Sequence, residues 1–149
     1  MPNYWIFPIS EENWLVIKES RILGIPEAAG KFIERVKPGD IAIMYIKNEG
    51  SGTLGGMFVG AFKVTSTWFR EETLHWPDEA REGKVKYPWR VRLEPLKLGR
   101  ASFQELIPKL SFIKSKNRRY AYLSLRGTPA NRRKPIPKED GVLIIESLK

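Results

Sequence analysis

The chain predicts an α+β fold, a small twisted mixed β-barrel or sheet flanked by short helices. Two observations carry this. The central strand segments follow one another without intervening helices, and nowhere does the pattern reach the spacing of repeated strand–helix–strand units. The elements run β-α-α-β-β-β-α-β-α, an order that excludes a doubly wound nucleotide-binding sheet. At 149 residues, folding can bury roughly 70% of the accessible surface, enough for one domain spanning 1–149.

Residues 3–9 (NYWIFPI) are aromatic and β-branched and predict a first strand, interrupted or ended by Pro8. Ser10-Glu11-Glu12 reads as a helix start, with Ser10 as N-cap and acids in the first turn, leading into Trp14, Leu15 and Ile17. Gly24-Ile25-Pro26 is a break, and Pro26 can open a helix from Glu27 to Val36. Lys37-Pro38-Gly39-Asp40 turns the chain into a buried strand at 41–47. The glycine-rich Asn48–Gly56 is a hairpin loop, and a strand resumes over 57–68, ending at Trp68. Arg70 to Lys84 is polar and reads as a long loop or helical turn. Residues 85–96 alternate Trp89, Val91 and Leu93 against Arg90, Arg92 and Glu94, a half-buried strand with the charges toward solvent. Ser102 caps a helix to about Lys109, with Glu105 at the capping-box position. Part of the segment between Lys114 and Lys138 is expected to be a strand. Lys138 to Leu148 closes the chain as a helix with Val142, Ile145 and Leu148 on one face.

Composition narrows the chemistry. There are no cysteines, which excludes disulfides, thiol nucleophiles and cysteine-based metal sites. The single histidine, His75, leaves little for triad or multi-histidine metal chemistry and is expected to be exposed and inert. No cofactor is implied. Gly50-Ser51-Gly52-Thr53-Leu54-Gly55-Gly56 lacks the lysine-containing ending of a phosphate loop and precedes a strand rather than a helix. The longest apolar runs, Ile41–Ile46 and Met57–Phe62, hold six residues against about 20 for a bilayer crossing, so no membrane partner is expected. The opening residues lack the features of a secretory leader, which points to the cytoplasm. One glutamine, Gln104, among many Lys, Arg and Glu is a composition compatible with a thermophilic source.

Charge is the conspicuous feature: 26 Lys and Arg against 17 Asp and Glu, net +9. Residues 1–95 carry 13 of each sign, whereas residues 96–149 carry 13 basic and 4 acidic side chains. An excess confined to the last third reads either as a folded surface for a polyanion or as solvated charge without a partner. Tyr120, Tyr122, Leu123 and Leu125 interleave the cations, a β-prone alternation that favours the folded surface.

Several stretches together resemble the EVE domain, a PUA-like family related to YTH domains. They are the aromatic strand and turn Tyr4-Trp5-Ile6-Phe7-Pro8-Ile9-Ser10-Glu11, the turn Lys37-Pro38-Gly39-Asp40 into Ile41–Tyr45, Phe58-Val59-Gly60-Ala61-Phe62-Lys63-Val64, Tyr87-Pro88-Trp89-Arg90-Val91, and Leu110 to Lys116. The chain departs from the pattern at Glu12, where many members have proline. The resemblance implies a pseudo-barrel that binds RNA or modified DNA without catalysis, in several relatives holding a modified base in an aromatic cage.

A base reader needs flat aromatic faces and a few polar groups to read the base edge. The pocket candidates are Ser10, Asn13, Trp14, Gly24, Ile25, Pro26, Trp68 and Trp76. Ser10 serves as cap or as base contact, Asn13 as turn residue or edge reader, and Gly24-Ile25-Pro26 as plain turn or close backbone approach. Trp14 and Trp76 are the favoured cage walls, and Trp5 and Trp89 are read as core. For the nucleic-acid backbone the candidates are Lys114, Lys116, Arg118, Arg119, Arg132, Arg133 and Lys134, with Tyr120 stacking a base or packing inside. The rivals are a general RNA-binding module reading shape and phosphates, a metal-dependent nuclease built on Asp40, Asp78 or Glu82, and a module for acidic protein partners.

Overall fold

Every residue of the strand Ile41–Ile46 is buried, because both faces of the sheet at this strand are covered. In the computed structural model, which describes residues 2–48, 52–113 and 135–149 with only the backbone described for 30–33, this strand is β3. Its neighbours are β1 (Tyr4–Ile9), which pairs with it in parallel, and β4 (Met57–Val64), which pairs antiparallel. The full order is β1-β3-β4-β6-β2, where β2 is Ile22–Ile25 and β6 is Trp89–Ser102, and the short β5 (Phe69–Arg70) also pairs β6. The result is a curled mixed sheet, a half-barrel flanked by short helices, of the PUA-like α+β kind that the sequence predicts.

A parallel β1–β3 pair needs a crossover of a dozen or more residues. The crossover holds α1 (Glu11–Ser20), β2 and a 3-10 segment, Glu27–Glu34. Ser10 starts α1 as expected, its Oγ accepting the N–H of Asn13 at 3.3 Å. Arg21 ends it in the left-handed region at φ 59°, with its N–H on the Ile17 carbonyl.

The curl has two sources. β6 runs for 14 residues, pairing β4 along its C-terminal part and both β2 and β5 at its start. Register shifts interrupt the β3–β4 and β4–β6 ladders, and such bulges sharpen the twist. Alternating side chains then fill two cores. Trp5, Phe7, Met44, Ile46 and Phe62 face the side of α1 and β2, and Ile6, Ile43, Tyr45, Phe58 and Phe103 face α3 (Phe103–Leu106) and α4 (Lys138–Ser147). Each such side chain contributes about 1.5–3 kcal/mol on burial.

Several expectations are corrected. Pro8 does not end β1; it pairs opposite Tyr45, tolerated because β1 is an edge strand. Gly24-Ile25 is not a break but part of β2, paired with Arg90 and Trp89. The segment after Pro26 is 3-10 with a kink at Ala29 rather than one helix to Val36. The strand from 57 stops at Val64, and Trp68 leads into β5. The polar stretch before Lys84 contains a helix, α2 (Pro77–Glu82). In α4 the inward face is Asp140, Gly141 and Ile144, so Val142 and Ile145 are only half-buried. Of the segment between Lys114 and Lys138 in which a strand is expected, residues 114–134 lie outside the described residues.

The turn before β3 is braced by one carboxylate. Gly39 takes φ 95°, which needs glycine, and Asp40, buried, accepts the indole N–H of Trp5 at 2.9 Å and the backbone N–H groups of Asn3 and Lys37 at 3.1 Å each. Asp40→Ala leaves these donors unsatisfied and lowers unfolding free energy by about 1–3 kcal/mol, read as a fall in the urea midpoint. An unchanged midpoint would contradict the brace.

Candidate nucleic-acid interface

The start of β6 is held by a charge that strand alternation placed in solvent. Arg90 is 0% exposed, and so is Glu79, in the first turn of α2. Pro77 and the acids Asp78 and Glu79 make this short segment a good helix start. Glu79 folds back across it. Its Oε1 accepts the backbone N–H groups of His75 (2.8 Å) and Trp76 (3.1 Å), and its Oε2 those of Lys86 (2.8 Å) and Tyr87 (3.1 Å). Burial alone raises the pKa of a carboxyl; the four donors outweigh this and hold Glu79 below the usual glutamate range. Arg90 lies 3.6 Å from Glu79, donates to Glu71 and to the hydroxyl and carbonyl of Thr73, and donates through Nε to the Tyr87 carbonyl.

This frame seats Trp76. The ring is 2% exposed, with the Arg90 guanidinium 4.9 Å from its centroid and Tyr87 and His75 edge-on at 5.4 and 4.6 Å. A Cβ on Gly24 would run into this ring and into Cβ of Tyr87 at 2.8 Å, so β2 approaches Trp76 only because residue 24 is glycine. Tyr87 donates its hydroxyl to Asp78 at 2.6 Å, and burial, together with that carboxylate, pushes its phenol well above the ordinary tyrosine value. Asp78 is held low: burial raises it, and donation from Tyr87 and Asn13 prevails. Two buried polar atoms here, Asn13 Oδ1 and Trp76 Nε1, have no hydrogen-bond partner among the described residues.

A second group of aromatics lies at the barrel rim. Trp68 and Trp89 are half-buried, and the β5–β6 register puts Arg70 opposite Trp89 and Phe69 opposite Arg90. Trp68 stands one residue before Phe69, the first paired residue of β5. Both indoles are fixed by the two ends of one crossover segment: Trp89 donates to Glu27 at 2.8 Å, and Trp68 donates to the Val36 carbonyl at 3.0 Å. Arg70 stacks over Trp89 at 5.3 Å, and Arg92 over Phe69 at 5.5 Å.

The structure brings six of the eight pocket candidates into these two groups. Asn13, Gly24 and Trp76 meet in the inner frame; Pro26 and Trp68 lie at the rim, with Ile25, 2% exposed, packed beneath. Ser10 caps α1. Trp14 is 4% exposed, edge-on to Phe62 at 5.9 Å inside the core. Trp89, read as core, is half-buried: it packs against the edge of the core where β6 begins between β2 and β5, with Glu27 at its ring nitrogen. His75 is half-buried, against Ser20 Oγ at 3.1 Å, and burial lowers its pKa. The three acids considered for a nuclease do not converge: Asp40 braces the turn before β3, Asp78 binds Tyr87, and Glu82 pairs with Lys86. Among the described residues no group of three or more His, Cys, Asp or Glu could hold a metal ion. Lys114, Lys116, Arg118, Arg119, Tyr120, Arg132, Arg133 and Lys134 lie outside the described residues. Sequence reasoning missed Glu27, Glu79 and Arg70; the only available signal was an acid at the third position of a helix opened by Trp76-Pro77.

A half-barrel with aromatic clusters inside and at its rim defines a PUA-like binding domain. The EVE domain profile matches residues 3–147, and the chain belongs to the EVE domain family. It is 36% identical over 147 residues to a UPF0310 protein of Saccharolobus solfataricus, covering 99% of this chain and 95% of that one. To a UPF0310 protein of Pyrococcus abyssi it is 38% identical over 152 residues, covering 98% and 99%. Among solved structures, the Mmi1 YTH domain with RNA matches with TM-score 0.62 at 15% identity over 99% of this chain and 81% of that one. The YTH domain of Zygosaccharomyces rouxii MRB1 in complex with N6-methyladenosine RNA matches with TM-score 0.59 at 13% identity over 97% and 85%. At these identities the likeness to YTH domains is one of fold.

Glu79→Gln removes the charge facing Arg90 and turns an amide N–H₂ toward backbone donors, so stability falls by about 3–5 kcal/mol. Glu79 and Asp78 both have folded pKa values below their unfolded ones. Their stabilisation is therefore full above the ordinary carboxylate range and is lost as pH falls through the lowered folded values. Chemical denaturation between neutral and acid pH checks both: the Gln variant loses stability at neutral pH and shows a shallower acid dependence than the parent.

Proposed function

We propose that this chain is a non-enzymatic nucleic-acid-binding domain that accepts one base at the rim, against Trp68 and Trp89, while its basic stretch contacts the backbone. The observation that carries it is the pair of half-exposed indoles whose ring nitrogens are already tied to Glu27 and Val36. Orientation set before the ligand arrives reduces the entropy lost on binding. Trp14 and Trp76, at 4% and 2% exposure, offer no comparable face to an incoming base. Base–aromatic stacking supplies about 1–3 kcal/mol per base, so one base needs backbone contacts beside it. Residues 114–134 contain eight Lys and Arg and no acid. The described residues fix both ends of that stretch: the N–H of Phe112 donates to Asp140 at 3.1 Å, and the N–H of Ile136 donates to the Tyr4 carbonyl at 2.9 Å. Membership of the EVE family and the fold shared with an RNA-bound YTH domain support RNA as ligand, with DNA bearing a modified base as the alternative.

Titrating a fluorescein-labelled oligonucleotide tests this. Trp68→Ala and Trp89→Ala each weaken binding by roughly 5- to 150-fold with little change in salt slope. Neutralising Arg118, Arg119, Arg132 and Arg133 weakens all sequences alike and flattens log K against log salt, by about 0.7 per lost single-strand contact. Indole variants that bind like the parent would favour a module reading only shape and phosphates.

A further inference from the structure

Two guanidinium-on-indole stacks stand on β5 and β6, and they differ in one respect. Arg90 on Trp76 is sealed, at 0% and 2% exposure. Arg70 on Trp89 is open, with the Arg70 side chain 39% exposed and that of Glu27 62%. In the open stack, one oxygen of Glu27, Oε2, accepts both from Arg70 NH1 at 2.8 Å and from Trp89 Nε1 at 2.8 Å. The other oxygen, Oε1, has no hydrogen-bond partner among the described residues. Arg70 also has somewhere else to go: its NH2 lies 3.1 Å from Glu72, two residues further along the chain.

We infer that the Trp89–Glu27 pair is a recognition site for a positively charged, planar, N-methylated nucleobase, with Arg70 as its internal placeholder. The inference rests on the reading that a base is accepted at the rim. A guanidinium is a flat delocalised cation, and it already makes the two contacts such a base would make, a cation–π stack on the indole and an ion pair with the carboxylate. A neutral base that displaced Arg70 would forfeit both and leave Glu27 with the indole N–H alone. A base such as 1-methyladenine or 3-methylcytosine restores both, and its exocyclic N–H can use the open Oε1. The hydrogen bond from Arg70, partly opposed by desolvation, and that from Trp89 keep Glu27 below the usual glutamate range, so it is an anionic acceptor at neutral pH. Swinging to Glu72 keeps Arg70 paired when the base enters, so the exchange leaves no charge stranded.

Positional isomers isolate charge from shape. Tryptophan fluorescence of the full chain is titrated with 1-methyladenosine and N6-methyladenosine monophosphates, and with 3-methylcytidine and 5-methylcytidine monophosphates, the first of each pair being cationic. The cationic isomer of each pair binds about tenfold more tightly, the scale of a partly desolvated cation–π contact. Glu27→Gln abolishes the preference, and Arg70→Ala tightens the cationic isomer by roughly two- to fivefold, the scale of an exposed ion pair no longer competing. Equal affinities within pairs, tighter binding of the neutral isomers, or a preference that survives Glu27→Gln would each overturn the inference. If the neutral isomers win while Trp68→Ala and Trp89→Ala still weaken oligonucleotide binding, the rim reading stands and only the charge selection fails. If no nucleotide quenches and those variants bind oligonucleotide as the parent does, both fall.

Discussion

The charge pair between Glu79 and Arg90 is the constraint on which the packing around α2 and the start of β6 depends. A buried ion pair by itself recovers little more than its desolvation cost. Here the carboxylate also accepts four backbone N–H groups from the two chain segments that flank α2, so the same group closes the loop, starts the helix and neutralises the arginine. Arg90 in turn presses on Trp76, Trp76 fills the space opposite Gly24, and Gly24 is the point where β2 pairs with Arg90 on β6. Tyr87 and Asp78 extend the network to Asn13 on α1. One carboxylate thus sets the spacing of α1, α2, β2 and the start of β6.

That rigidity explains a division of labour among the tryptophans. Trp5, Trp14 and Trp76 are spent on the interior, hydrogen-bonding Asp40, meeting Phe62 edge-on, or lying under Arg90. Trp68 and Trp89 stand half-buried beside the short β5 and the start of β6, where the crossover segment meets their ring nitrogens. The chain's charge is also divided: residues 1–95, which hold β1 to β5 and the start of β6, sum to zero, and residues 96–149 carry the excess.

Much of this frame was readable from local signals. Ser10, Ser102 and the Lys37–Asp40 turn act as anticipated because caps and tight turns are decided by a few neighbouring residues. The strands Ile41–Ile46 and Met57–Val64 were legible because burial on both faces leaves an unbroken apolar run. What escaped was set by distant partners. β2 is four residues long and has meaning only beside β6, and Arg90 looks like a solvent-facing residue until α2 covers it. Trp14 and Trp76 were singled out by their position in polar or turn sequence, a criterion blind to burial, and the structure leaves them 4% and 2% exposed. Glu27 and Arg70 lie 43 positions apart, and no spacing rule joins them.

The central claim, that a base is received at the rim and not in the inner frame, is tested most directly by the indole N–H resonances of the five tryptophans in a ¹H–¹⁵N correlation spectrum during titration with an oligonucleotide. Assignment by single Trp→Phe variants identifies each signal. The account predicts that the Trp68 and Trp89 resonances shift progressively, while those of Trp5, Trp14 and Trp76 stay in place. Movement of the Trp14 and Trp76 signals with Trp68 and Trp89 unmoved would contradict it.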